Sequence, residues 1–130
     1  VRPTVFHEGH HASRYHLGLF HNTFLEGAIL EGLATVFERE CAGVSEPYGE
    51  YPEDVESWVR EIVEQQDRFN WQHYSFDHPD GRKWIVYKVG TYLVDQAMKQ
   101  SSKGIIELSE LEAREILRMS RVDLERYVGM

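Results

Sequence analysis

The chain has 130 residues, 42% of them apolar and 12% aromatic, which is enough for one hydrophobic core and one domain. A net charge of −8 argues against nucleic acid, whose binding is dominated by cationic contacts with phosphate, and no apolar run is long enough to span a membrane. A lone cysteine, Cys41, leaves no intrachain disulfide. The acidic balance, with no signal-like segment ahead of the first motif, predicts a cytoplasmic protein.

The first element is a helix that opens near Pro3, with Thr4 as its cap and Val5, Phe6 and Ala12 as apolar flanks. It carries His7-Glu8-Gly9-His10-His11, an H-E-x-x-H pattern. Residues four apart lie one above the other on a helix, so the imidazoles of His7 and His11 can converge on one cation. Glu8 is angled off that line and can reach a water without binding the metal itself. His10 and His16 project from other sides, and His21 belongs to the loop that follows.

Catalytic zinc takes three protein ligands, so a third donor is needed. A third His six residues after the second, with Gly midway, is not present: Leu17 and Arg14 occupy those places. The second helix runs from about Thr23 to Cys41, capped by Asn22 or Thr23 and ended by Gly43. Among its acids, Glu31 stands in a stripe of small residues, Gly27, Ala28, Ala34 and Thr35, which lets another backbone come close. Glu31 is therefore the first candidate for the third ligand, and Glu26, near the helix start, is the reserve. Glu38 and Glu40, beside Arg39, read as a solvated helix end.

After a loop over 44–51, a third helix starts at Pro52 with an apolar stripe of Val55, Trp58, Val59, Ile62, Val63 and Phe69. His73, Tyr74, Phe76 and His78 then lie in a polar, aromatic loop that ends in the turn Pro79-Asp80-Gly81. The fourth helix, about Lys83 to Gln100, puts Tyr87, Gly90, Thr91 and Val94 on one face, a phenol beside a narrow groove for a close neighbour. Tyr87 is the candidate to stabilise an oxyanion, with His73 and His78 as alternatives. Ile105, Ile106 and Leu108 predict a short extended piece. Ser109 with Glu112 reads as a capping box for the next helix, and Ser120 with Asp123 caps a last one to Tyr127. No chemistry is expected in this final stretch.

Three ordered blocks carry a resemblance. The run Phe6-His7-Glu8-Gly9-His10-His11 with Arg14, then Leu30-Glu31-Gly32-Leu33-Ala34, then Tyr87-Lys88-Val89-Gly90 through Val94 resembles a gluzincin-like bacterial family of predicted Zn-dependent proteases. Its pattern is H-E-x-H-H with a following Arg, then E-G-L-A, then G-Y-x-x-G-x-x-x-V. Val86 departs from it, standing where the family has Gly. The resemblance implies His7, His11 and Glu31 as zinc ligands and Glu8 as general base, in agreement with the spacing. Arg14 is expected to orient Glu31 or another carboxylate.

The fold predicted is mainly α, a zincin-like helical metallopeptidase core of about five or six helices in a single domain, 1–130. Peptidases of this type place a small β-sheet before the metal helix; with no room for it, the chain reads as the C-terminal part of a longer protein. The function predicted is zinc-dependent hydrolysis of peptide bonds in a peptide or protein substrate, without nucleic acid or membrane partners. Association of copies through the helix face left without its sheet is a further expectation. The alternative is a zinc-binding helical interaction domain, a pseudopeptidase that cuts nothing; a metal-free helical structure is a third option.

Overall fold

The computed structural model describes residues 8–12, 24–43, 46–64 and 70–120. The protein is mainly α, and among the described residues the only β pairing is an isolated bridge between Asp77 and Lys83. Residues 8–12 are helical. Helix α1 spans Phe24–Phe37 and continues through a π-helical turn, Glu38–Ala42. A 3-10 turn at Pro47–Gly49 leads to α2 (Val55–Glu64), α3 (Trp71–Ser75), α4 (Ile85–Ser101), α5 (Ile105–Ser109) and α6 (Ala113–Met119). Among the described residues no helix is long and apolar enough to cross a membrane.

Most of these bounds follow from local chemistry. Gly43, at φ 70°, takes the left-handed conformation that closes the helical run before it, as its position predicts. In α2 the expected stripe is the buried one: Val55, Val59, Ile62 and Val63 are core residues, with Trp58 packed at the edge. Two segments differ from their sequence reading. The polar run at 71–75 is a single helical turn, because the Asn70 side chain accepts the His73 backbone N–H at 3.1 Å and caps it. The piece at 105–108 is helical rather than extended. Ile105 and Leu108, three apart, both enter the core from α5, so packing overrides the β-branched preference of the two isoleucines.

The predicted Ser109–Glu112 capping box does not form. Ser109 ends α5 with its hydroxyl donating to the Ile105 carbonyl at 2.7 Å, and Glu112 precedes α6. The caps read at Thr4, Asn22 and Thr23, the stripe residue Phe69 and the last helix to Tyr127 lie outside the described residues, Ser120 alone of that last reading being within them.

The core is organised around the crossing of α1 and α4, the most extensive helix pair among the described residues. The small residues read as an invitation to close approach on each helix meet one another. A β-carbon at Gly32 would overlap the Gly90 carbonyl, and one at Gly90 would overlap the Ala28 carbonyl oxygen. The two backbones touch, so neither position tolerates a side chain without separating the helices. Two buried or nearly buried threonines at the crossing spend their hydroxyls locally: Thr35 donates to the Glu31 carbonyl at 2.8 Å and Thr91 to the Tyr87 carbonyl at 2.7 Å. Leu25, Ile29, Leu33 and Val36 of α1 and Val86, Val89, Leu93 and Val94 of α4 complete the packing.

Candidate metal centre

The backbone crossing at Gly32 and Gly90 determines what stands beside it. Glu31 directly precedes Gly32, and Tyr87 lies one turn before Gly90, so the close approach brings a carboxylate and a phenol to the same edge of the helix pair. From a third element, the helical residues 8–12, the His11 imidazole reaches the same place. Its Nε2 stands 2.7 Å from the Glu31 carboxylate oxygen Oε1, with both side chains largely shielded from solvent.

The Tyr87 phenol reports the company it keeps. Burial first, then the negative charges of Glu31 and Glu8 and a hydrogen bond to Glu31, push its pKa up to about 12. Glu8 is thus close enough to act on the same hydroxyl while remaining exposed itself. Four of the five residues singled out in the sequence, Glu8, His11, Glu31 and Tyr87, gather in one place. His7 lies outside the described residues, as does Arg14.

The donor set fits zinc as far as it extends. An imidazole nitrogen and a carboxylate oxygen are donors that zinc prefers; at 2.7 Å the two are in hydrogen-bond contact, and tetrahedral ligands bonded at about 2.1 Å would stand about 3.4 Å apart, so a bound ion would part them slightly. Among the described residues no three His, Cys, Asp or Glu side chains form a metal-holding group. Two of the residues predicted as ligands, His11 and Glu31, stand side by side, and the third, His7, lies outside the described residues.

The remaining candidates are elsewhere engaged. Glu26, the reserve ligand, is a first-turn acid of α1. His73 and His78 pack ring against ring at 6.0 Å, and His78 also meets the Tyr74 ring at 5.1 Å. They belong to a cluster in which Arg82 bonds the Glu61 carboxylate through two nitrogens, at 3.0 and 2.9 Å, and reaches Asp80 at 2.8 Å. Burial raises the Glu61 carboxyl, but the Arg82 and Tyr74 hydrogen bonds outweigh it and leave its pKa below the ordinary value. At Asp80 the Arg82 hydrogen bond lowers the pKa to about 2.

Three residues near the centre were not found by sequence reasoning. Glu38 is corrected from a solvated helix end to a buried carboxylate, 1% exposed, while Glu40 beside it is exposed as predicted. Glu38 accepts the Tyr48 hydroxyl at 2.7 Å, and the Tyr48 ring lies 5.3 Å from that of Tyr87. The close seating of Gly49 against Thr35, where a β-carbon would meet the Thr35 methyl at 2.7 Å, brings Tyr48 onto α1. A signal existed for Glu38: it stands seven residues after Glu31, two helical turns on along the same face. The third is Ser109, read as a cap. His10 is buried, 5% exposed, with its Nε2 2.8 Å from Ser109 Oγ and its ring 5.2 Å from that of Phe37.

Compared with curated proteins and with solved structures, the chain finds no match. A protein-family model does match it, over residues 1–118, which include all three sequence blocks and the whole of the centre described above. That model is described as "Predicted Zn-dependent protease (DUF2268)", and the chain belongs to this family.

Proposed function

We propose that the protein hydrolyses peptide bonds with zinc held by His7, His11 and Glu31. The observation that carries the reading is the meeting of His11 and Glu31 at 2.7 Å, from two separate helical elements, beside Tyr87 and Glu8. When bound, zinc supplies Lewis acidity, making water a better nucleophile at neutral pH and polarising a carbonyl. Glu8, exposed and one residue beyond the first ligand, takes the proton from the attacking water and hands it to the departing amine.

Tyr87 supplies a hydrogen bond to the oxyanion that develops on the substrate carbonyl. A phenol pushed up to about 12 keeps its proton throughout the neutral range; that proton is given to Glu31 here, and would turn to the substrate oxyanion once Glu31 is engaged by the metal. Packing of its ring against Tyr48 and its place beside the Gly90 crossing hold the ring in position, so only the hydroxyl hydrogen has to turn as charge develops. The partner implied is a peptide or protein substrate.

The test pairs elemental analysis of metal with peptide hydrolysis, using a denatured protein and a quenched-fluorescence peptide library as substrates. About one zinc per chain is expected in both the unmodified protein and Glu8→Gln. Hydrolysis should fall by about 10²–10⁴-fold in the variant, the usual worth of a general base. Zinc in both with no hydrolysis by either would replace this reading with that of a metal-bound interaction domain, and hydrolysis undiminished in Glu8→Gln would remove Glu8 from its role.

A further inference from the structure

We infer that His10 is a positioning residue: its hydrogen bond to Ser109 fixes the rotation of the metal-site helix and so aims His11 at Glu31. The inference rests on the zinc reading for its consequence, but the device itself is read from contacts within this chain. Of the described residues 8–12, Glu8, Gly9 and Ala12 are exposed, His11 is half-buried, and His10 alone is buried. Among these five residues, only the His10 side chain enters the protein interior.

The direction of that hydrogen bond follows from counting protons. The Ser109 hydroxyl has a single hydrogen, and it goes to the Ile105 carbonyl at 2.7 Å. The 2.8 Å contact with His10 Nε2 must then be donated by the imidazole. His10 carries its proton on Nε2, the atom with which His11 faces Glu31. Two adjacent histidines thus divide the work, one as anchor and the other as candidate ligand.

Successive side chains leave a helix about 100° apart. Holding His10 against Ser109 and Phe37 therefore sets the direction in which His11 and Glu8 point. The receiving end is rigid, because α5 is seated in the core by Ile105 and Leu108. Residues 99 apart in the chain are joined by this bond, so α5, which supplies none of the proposed ligands, controls the geometry of residues 8–12.

The test uses the full chain free of metal, with Ser109→Ala and Ser109→Thr alongside. Long-range proton–nitrogen NMR should find His10 of the unmodified protein in the Nε2–H form; the Nδ1–H form would overturn the inference even if every variant failed to fold. A nuclear Overhauser contact between the His11 ring and the Glu31 side chain should be present in the unmodified protein, lost in Ser109→Ala and regained in Ser109→Thr, with the contacts between α1 and α4 unchanged throughout. Its persistence in Ser109→Ala would overturn the inference. In chelator competition with zinc, Ser109→Ala should bind about 10–100-fold more weakly and Ser109→Thr as tightly as the unmodified protein. If the unmodified protein binds no zinc, the zinc reading fails, and the NMR contacts still decide whether His10 aims His11.

Discussion

Two clusters of charged and aromatic side chains lie close together in sequence at the start of α4, one around Arg82 and one around Tyr87, and they are assembled in opposite ways. Around Arg82, a guanidinium sits between Glu61 and Asp80, stacks over the Trp58 ring at 5.3 Å, and has Tyr74 bonded to the same Glu61 at 2.7 Å. Each carboxylate there meets a cation, and both titrate below their ordinary values. Around Tyr87 the described groups are Glu8, Glu31, Glu38, the His11 imidazole and the Tyr48 phenol. The Tyr87 phenol is pushed up by burial and by the surrounding negative charge. In the first cluster one guanidinium ties both carboxylates together; the second, among the described residues, gathers donors and negative charge in a manner complementary to a cation. Density of polar side chains alone does not distinguish a site from a staple, whereas the sign of what is gathered does.

The sharpest way to break the comparison is to spoil the scaffold of one cluster and leave the other. Gly90→Ala places a methyl on the Ala28 carbonyl, so α1 and α4 must separate. Overpacking at a backbone crossing should cost about 3 kcal/mol, read by denaturant unfolding, and should displace Glu31 from Tyr87. An unchanged midpoint would mean that the crossing gives way freely and does not define the centre.

A smaller effect is expected from the other side. Arg82→Ala should cost about 1 kcal/mol, since its ion pairs are partly exposed, and should leave zinc binding intact. The same variant tests a pH dependence. Asp80, held at about 2, and Glu61, held below its ordinary value, contribute stability that is present above about pH 4 and is lost as pH falls toward 2. Thermal midpoints measured from pH 5 to pH 2 should fall less steeply in Arg82→Ala than in the unmodified protein; parallel curves would show that Arg82 is not what holds these carboxylates ionised.

Much of the centre was legible because it depends on helical periodicity. The spacing in the first motif sets His11 and Glu8 on known directions, and the small stripes around Glu31 and Tyr87 each announced a close neighbour. That the two stripes touch each other is a tertiary fact, visible only when Gly32 meets Gly90. Glu38 escaped because its charge and its neighbours Arg39 and Glu40 suggest solvent, while burial is decided by Tyr48 arriving from the following turn. Ser109 escaped because its partner is 99 residues away, and no local pattern records a hydrogen bond across that distance. The helix at 105–109 was misread for a related reason: the isoleucines favour strand locally, and only the core explains why Ile105 and Leu108 must share a face.

Of the two clusters, the one around Tyr87, and not the one around Arg82, is proposed to hold a metal. Zinc content after dialysis against a weak chelator, measured for the unmodified protein, His11→Ala, Glu31→Ala and Arg82→Ala, tests it most directly. About one zinc per chain should remain in the unmodified protein and in Arg82→Ala, and it should be lost from the other two. An unmodified protein that keeps no zinc, or His11→Ala and Glu31→Ala proteins that keep all of theirs, would contradict the account.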